Sequence, residues 1–204
     1  MPLIKKPGIT PQPEGPGPVT DEDLRLLADG SSEERRQAAR NIGKLPEAAQ
    51  SLGKALETEH DERVREAIFT ALVSLNSPAA VEMILPHLRS DDAQIRTGAL
   101  DALRIMPATV PYVAALLRDA DSDVRILACE IARDLPSPHM AQALAGVLEA
   151  DQVPNVCAAA VDALAEIGGP AELPVLRNCL DRFPSEPFLA FAIKVALARL
   201  VPAH

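Results

Sequence analysis

Of the 204 residues, the four histidines and three cysteines are the side chains best equipped for metal or nucleophilic chemistry. Their spacing supports neither. His60, His87, His139 and His204 are scattered, with no H-x-x-x-H or H-E-x-x-H pair to set two imidazoles on one helix face. Cys129, Cys157 and Cys179 show no C-x-x-C spacing and read as buried structural thiols. Cys157 falls near a predicted helix start, where the N-terminal dipole can lower a thiol pKa, but no histidine lies near it in sequence to complete a nucleophilic pair. There is no G-x-G-x-x-G, Walker or G-x-S-x-G sequence. Gly168-Gly169-Pro170 is a helix stop followed by a turn.

The chemistry that does recur is ionic. Asp61 to Arg65 reads D-E-R-V-R, Asp92 to Arg96 reads D-A-Q-I-R, and Asp121 to Arg125 reads D-S-D-V-R. Each Asp stands just before an apolar helical run, where its carboxylate can accept from exposed backbone N–H groups. Each Arg falls in the first turn, where a cation opposes the helix dipole, so a tertiary partner is expected for it. The reading is a structural ladder of Asp61, Arg65, Asp92, Arg96, Asp121 and Arg125 that fixes the stacking of repeats. The alternative is a row of arginines gripping an anionic ligand.

The elements that position these residues follow from periodicity. Residues 1–19, with Pro2, Pro7, Pro11, Pro13, Pro16 and Pro18 among glycines, are expected to form a disordered tail. Within it, Leu3-Ile4-Lys5-Lys6 could serve as a short docking motif on an extended spacer. From Thr20 the period is helical. First helices are predicted near 21–29, 47–58, 78–89, 108–118, 138–149 and 170–182, and second helices near 33–45, 62–75, 93–106, 122–135, 154–167 and 187–200. Laid over one another, the second helices align Arg35, Arg65, Arg96, Arg125, Cys157 and Ala190, at steps of 30, 31, 29, 32 and 33 residues. Ala67, Ile68, Ala71 and Leu72 share one face, as do Ala159, Ala160, Ala163 and Leu164. Six helix pairs at a near-constant period define an all-α solenoid over residues 20–204, each pair burying its apolar face against its neighbours.

The D-x-x-[VI]-R signature, with Ala two or three residues after the Arg and a period near 31, resembles the short HEAT-like repeats named after phycobilisome lyases. The resemblance implies a right-handed α-α superhelix in which Asp and Arg side chains bridge neighbouring repeats and the second helices line the concave face. It also implies a range of functions, from scaffold to lyase subunit to enzyme. The HEAT-repeat di-iron hydroxylases carry His-Glu dipeptides, and this chain has none. HEAT-like alkylated-base glycosylases need a basic, aromatic-lined groove, which a chain with one tyrosine and no tryptophan lacks.

On that face the positions pointing away from the buried stripe include Asp101, Arg104, Glu130, Arg133 and Asp162 in the middle. Ile126, Ala158, Ala165, Phe191, Val195 and Ala198 lie toward the C-terminal end. Asp101–Arg104 and Glu130–Arg133 have the i, i+3 spacing of helical ion pairs. The apolar end marks an interface unless the terminal residues 201–204 cover it. The ladder signature is missing at Cys157 and Ala190, at that same end. With 20 basic and 29 acidic residues the net charge is −9, which disfavours nucleic acid and anionic membrane surfaces as partners. No apolar segment follows Lys5-Lys6 as a signal h-region, and no run approaches a membrane span. With three widely spaced cysteines, a cytoplasmic protein is expected. The function expected is a non-enzymatic scaffold without cofactor or metal. It would hold a protein partner through Asp101, Arg104, Glu130, Arg133, Asp162, Ile126, Phe191 and Val195, with a homodimer through the C-terminal end as a further possibility. The alternative is a subunit of a tetrapyrrole (bilin) lyase, by resemblance.

Overall fold

A computed structural model of the chain describes residues 18–135 and 137–201. The expected tail falls almost wholly on residues 1–17, outside the described residues. Val19 packs on the core, and its N–H donates to Glu47 Oε1 at 3.4 Å.

The described residues form twelve α-helices in six antiparallel pairs. These are α1 (Asp21–Asp29) with α2 (Ser32–Ile42), α3 (Ala49–Thr58) with α4 (Glu62–Leu75), and α5 (Pro78–Ile84) with α6 (Ala93–Ile105). Then come α7 (Val110–Leu116) with α8 (Ser122–Asp134), α9 (Met140–Ala150) with α10 (Pro154–Ile167), and α11 (Leu173–Arg182) with α12 (Pro187–Leu200). The second helices α2, α4, α6, α8, α10 and α12 pack side by side as one layer, and the first helices form the other. The chain is thus an all-α helical-repeat superhelix, as the period requires.

Local chemistry explains the boundaries. Thr20 and Ser31 close reciprocal capping boxes with Asp23 and Glu34, satisfying N–H groups that a helix start leaves free. Three first helices begin as short 3₁₀ turns led by Pro46, Pro107 and Pro170, because proline fixes φ and has no N–H to lose. The predicted helix over 78–89 is α5 followed by a 3₁₀ stretch over Leu85–Arg89. Pro86 cannot donate the i→i−4 bond that would continue the α ladder. α4 stops at Asn76, which adopts φ 40° and uses its side-chain oxygen to accept from Ala108 N at 3.0 Å.

The core is built of small and medium residues. Ile42, Leu52, Ile68, Leu72, Leu103, Ile131, Leu144 and Leu148 are fully buried. The Ala-rich stripe lets second helices approach closely. At Gly43 an added Cβ would lie 2.5 Å from Ala71 Cβ, so α2 and α4 touch where only glycine fits. Among the described residues no single helix is long and apolar enough to cross a membrane.

Candidate functional site

The repeated Asp residues cap their helices. Asp61 Oδ1 accepts from Arg63 N at 2.9 Å, Asp92 Oδ1 from Gln94 N at 2.8 Å, and Asp121 Oδ1 from Asp123 N at 2.9 Å. The arginines reach elsewhere. Arg125 donates through Nε and Nη2 to both carboxylate oxygens of Asp151, at 2.6 and 3.2 Å, and through Nη1 to the carbonyls of Asp119 and Ala120. Arg35 grips Glu59 in the same two-pronged way, at 2.7 and 2.9 Å, and takes the Gly30 carbonyl. Each guanidinium therefore ties the end of its own first helix to the loop before the next second helix. Glu59 and Asp151 stand two residues before the capping position, where they also accept backbone N–H groups. Sequence reasoning missed these acids. Only Glu59 carries a local signal, the acid-x-Asp spacing of E59-H-D61; Asp151 stands before Gln152-Val153 and has none.

The spacing changes in the middle repeats. Arg65 pairs with the cap Asp92 itself, at 2.9 Å, because Ser90 occupies the position two residues earlier. Arg96 donates to the Ser90 carbonyl at 2.6 Å and has no carboxylate partner among the described residues. Asp119 is bonded instead by Arg89. Asp121 caps α8 without an ion pair. The ladder expected between Arg and cap Asp thus exists in that form only at Arg65–Asp92. At Arg35 and Arg125 the acid two residues upstream of the next helix cap replaces it, and among the described residues Arg96 meets no carboxylate.

The Cys157 position has its own solution. Cys157 is fully buried, with Sγ 3.6 Å from the Asp151 carbonyl. Arg182 of α11 reaches back and donates to the carbonyls of Leu148, Glu149 and Asp151. It stands in from the next repeat for the absent marker arginine. The neighbouring Cys179 thiol and burial raise the Cys157 pKa, and burial pushes Cys129 up to about 12. The thiolate that a helix start could favour is therefore disfavoured at Cys157, because desolvation acts against charge.

Burial raises the ladder carboxyls, but Arg35 with backbone N–H groups outweighs it at Glu59, and Arg125 with the Val153 N–H outweighs it at Asp151. Both end below the usual carboxylate range. A depressed folded-state pKa contributes stability that is present above the unfolded value, near 4, and is lost as pH falls through the folded value. Thermal melts should hold steady from pH 7 to about 5 and fall steeply below about 4. An Asp151→Asn variant, less stable at neutral pH, should show the shallower acid decline. Parallel declines would refute the assignment.

On the outer face of the second-helix layer, Arg104 and Arg133 converge on a residue the sequence reading passed over. Asp134 accepts from Arg104 Nε and, at 3.1 Å, from Arg133 Nε. Arg104 also meets Asp101 at 3.4 Å, and Arg133 approaches Glu166 at 3.8 Å. The expected Glu130–Arg133 pair does not form, because Asp134 and Glu166 compete for that guanidinium. Instead Glu130, Arg133, Asp162 and Ile126 line a groove of about 380 Å³ between α8 and α10, with Phe188 at its edge. Partial desolvation raises the Asp162 carboxyl.

A second groove, about 390 Å³, runs between α4 and α6. Phe69 lies over Gly98 on its floor, where an added Cβ would meet Phe69 Cε2 at 2.7 Å. The ring is met edge-on by His87, with centroids 6.4 Å apart.

The apolar end differs in detail from expectation. Ala158 is buried and Ile126 half-buried, whereas Phe191 and Val195 are 67% and 49% exposed. Phe188, which is not among the positions expected to point away from the buried stripe, is 69% exposed. Phe188, Phe191 and Val195 stand at i, i+3 and i+7 on α12, a single helical stripe.

A two-layer all-α repeat with capping acids and inter-repeat arginines defines a class of helical solenoid. The chain belongs to the HEAT-repeat family, whose model matches residues 24–104 and 110–193. It is 39% identical over 85 residues to the bilin biosynthesis protein PecE of Nostoc sp. strain PCC 7120, an alignment covering 41% of this chain and 33% of that protein. The matched segment is thus about a third of the relative's length. Among solved structures, the CpcE–CpcF complex of phycocyanin lyase from Nostoc sp. PCC7120 matches at 20% identity with TM-score 0.38, covering 96% of this chain and all of that one. Human deoxyhypusine hydroxylase matches at 17% identity with TM-score 0.44, covering 88% and 83%.

The similarity to a bilin biosynthesis protein corrects the expectation of a non-enzymatic scaffold. That expectation weighed only catalytic motifs complete within one chain, and a subunit that shapes a substrate beside a partner needs none.

Proposed function

We propose that this chain is a subunit of an assembly acting on an open-chain tetrapyrrole, in the manner of a bilin lyase. The observation that carries the reading is the 39% identity to a bilin biosynthesis protein. The surface supports a division of labour. Arg104 and Arg133 are engaged by Asp101, Asp134 and Glu166, so they are not free to meet the propionates of a bilin. A partner subunit or acceptor protein supplies those cations. This chain contributes apolar wall and the subunit contact, which we place on the Phe188, Phe191 and Val195 stripe beside the α8–α10 groove. A contiguous apolar face of this kind otherwise stays in water.

The test uses biliverdin absorbance and transfer of a bilin to an acceptor protein, measured with this chain alone and with its co-purifying partner. The combination should shift the biliverdin spectrum. No shift under either condition rules the reading out. Phe191→Asp should reduce partner recovery about tenfold or more, the usual scale for a charge placed at an interface centre, with melting unchanged because the side chain is exposed. Equal recovery moves the contact elsewhere. Sedimentation of the chain alone separates a heterologous partner from a self-associating copy.

A further inference from the structure

The α4–α6 groove is independent of that reading and presents a different chemistry. Its floor and walls are apolar, formed by Phe69, Val73, Ile95, Ala102 and Ile105. Ile105 is 62% exposed, a large apolar side chain left in water at the groove mouth. The rim is acidic. Glu62 and Glu66 stand i, i+4 on α4, an arrangement in which like charges repel. Among the described residues Glu66 has no cationic partner, and Glu62 receives only a 3.5 Å hydrogen bond from Gln94 Nε2. Asp101 closes the rim opposite, sharing its one arginine with Asp134. The single rim cation, Arg65, is held by Asp92. An occupant that suits it brings apolar side chains together with positive charge.

We propose that the groove receives this chain's own Leu3-Ile4-Lys5-Lys6, with Leu3 and Ile4 over Phe69 and Gly98 and the two ammonium groups against Glu62, Glu66 and Asp101. Three observations support this occupant. Charge and hydropathy match, an apolar pair beside a basic pair, in a chain with only 20 basic residues against 29 acidic. The Val19 N–H bond to Glu47 fixes the departure of the N-terminal segment beside the second repeat, whose α4 is one wall of the groove. The intervening residues 7–17 contain Pro7, Pro11, Pro13 and Pro16. Eleven residues span about 34 Å in the polyproline conformation, against helix spacings of about 10 Å. The groove is thus a self-occupied site, and the segment covers apolar surface that a partner must displace to use.

The experiment is zero-length carbodiimide coupling of the full chain, which condenses a lysine amine with a carboxylate to an amide, with loss of water to the reagent. Mapping by mass spectrometry should find Lys5 or Lys6 joined to Glu62, Glu66 or Asp101 within one chain. A tether alone raises the local lysine concentration everywhere within reach, so the control keeps the lysines and removes the anchor. In Leu3→Asp/Ile4→Asp those specific links should disappear while the melting temperature stays unchanged. Links that persist in this variant, links spread over acids outside the groove, or no links would overturn the proposal. So would links found only between chains in a mixture of isotopically light and heavy protein, which would make a second copy the occupant.

Discussion

Replacing Arg125 with Ala is expected to lower the melting temperature by roughly 6–12 °C. The side chains of Arg125 and Asp151 are 14% and 9% exposed, so both charges are largely out of water. Removing the guanidinium leaves the Asp151 carboxylate buried without its ion-pair partner and takes a donor from the Asp119 and Ala120 carbonyls. Loss of one member of such a pair costs about 3 kcal/mol or more, most of it the penalty of the abandoned charge. Arg96→Ala is the comparison, because Arg96 donates only to the Ser90 carbonyl. Its loss should cost about 1 kcal/mol, the scale of a single hydrogen bond. If thermal melts of the two variants coincide, the two-pronged grip on Asp151 is not what holds these repeats together. The same melts with bound partner should leave affinity unchanged for both, since neither side chain lies on the α12 stripe.

The contrast between Arg125 and Arg96 also marks how far the sequence could be read. Helix positions and pairing were legible because period and caps are local. Asp61, Asp92 and Asp121 must precede their helices whatever surrounds them, and Ala67, Ile68, Ala71 and Leu72 must face inward. Partners of long side chains were not legible in the same way. An arginine spans several residues of loop, so whether it meets the cap, as at Asp92, or the acid two residues earlier, as at Asp151, depends on loop register. The same limit hid Asp134. It sits at the end of α8, one position beyond the expected Glu130–Arg133 pair, and draws in Arg104 from α6, 30 residues away. Phe188 escaped for another reason. It lies two residues before the aligned position Ala190, where the other repeats carry the polar residues Arg63, Gln94, Asp123 and Asn155, all exposed as Phe188 is. The grooves depend on inter-helix spacing, which Gly98 and Phe69 set jointly and neither signals alone.

Restoring the marker arginine at Cys157 should destabilise the protein, although the change moves the sequence toward the repeat signature. In the first, third and fourth repeats that arginine (Arg35, Arg96, Arg125) satisfies carbonyls that follow the first helix. In the fifth repeat the carbonyls of Leu148, Glu149 and Asp151 are already taken by Arg182. A guanidinium in place of the fully buried Cys157 thiol would meet a like charge, find no free acceptor, and overfill a packed site. Overpacking and an unpaired buried charge together should cost about 3 kcal/mol. Arg182→Ala alone should cost about 1–2 kcal/mol through the carbonyls it abandons. In the double variant the new arginine can take over those carbonyls and stay beside Asp151, so the two losses should not add. A coupling of about 2 kcal/mol in the compensating sense is within the range measured for directly interacting residues. Chemical denaturation of the four proteins closes the cycle. Additive losses would show that Arg182 and the marker position are independent. Compensation would show that the solenoid requires a guanidinium at that junction and accepts it from either repeat.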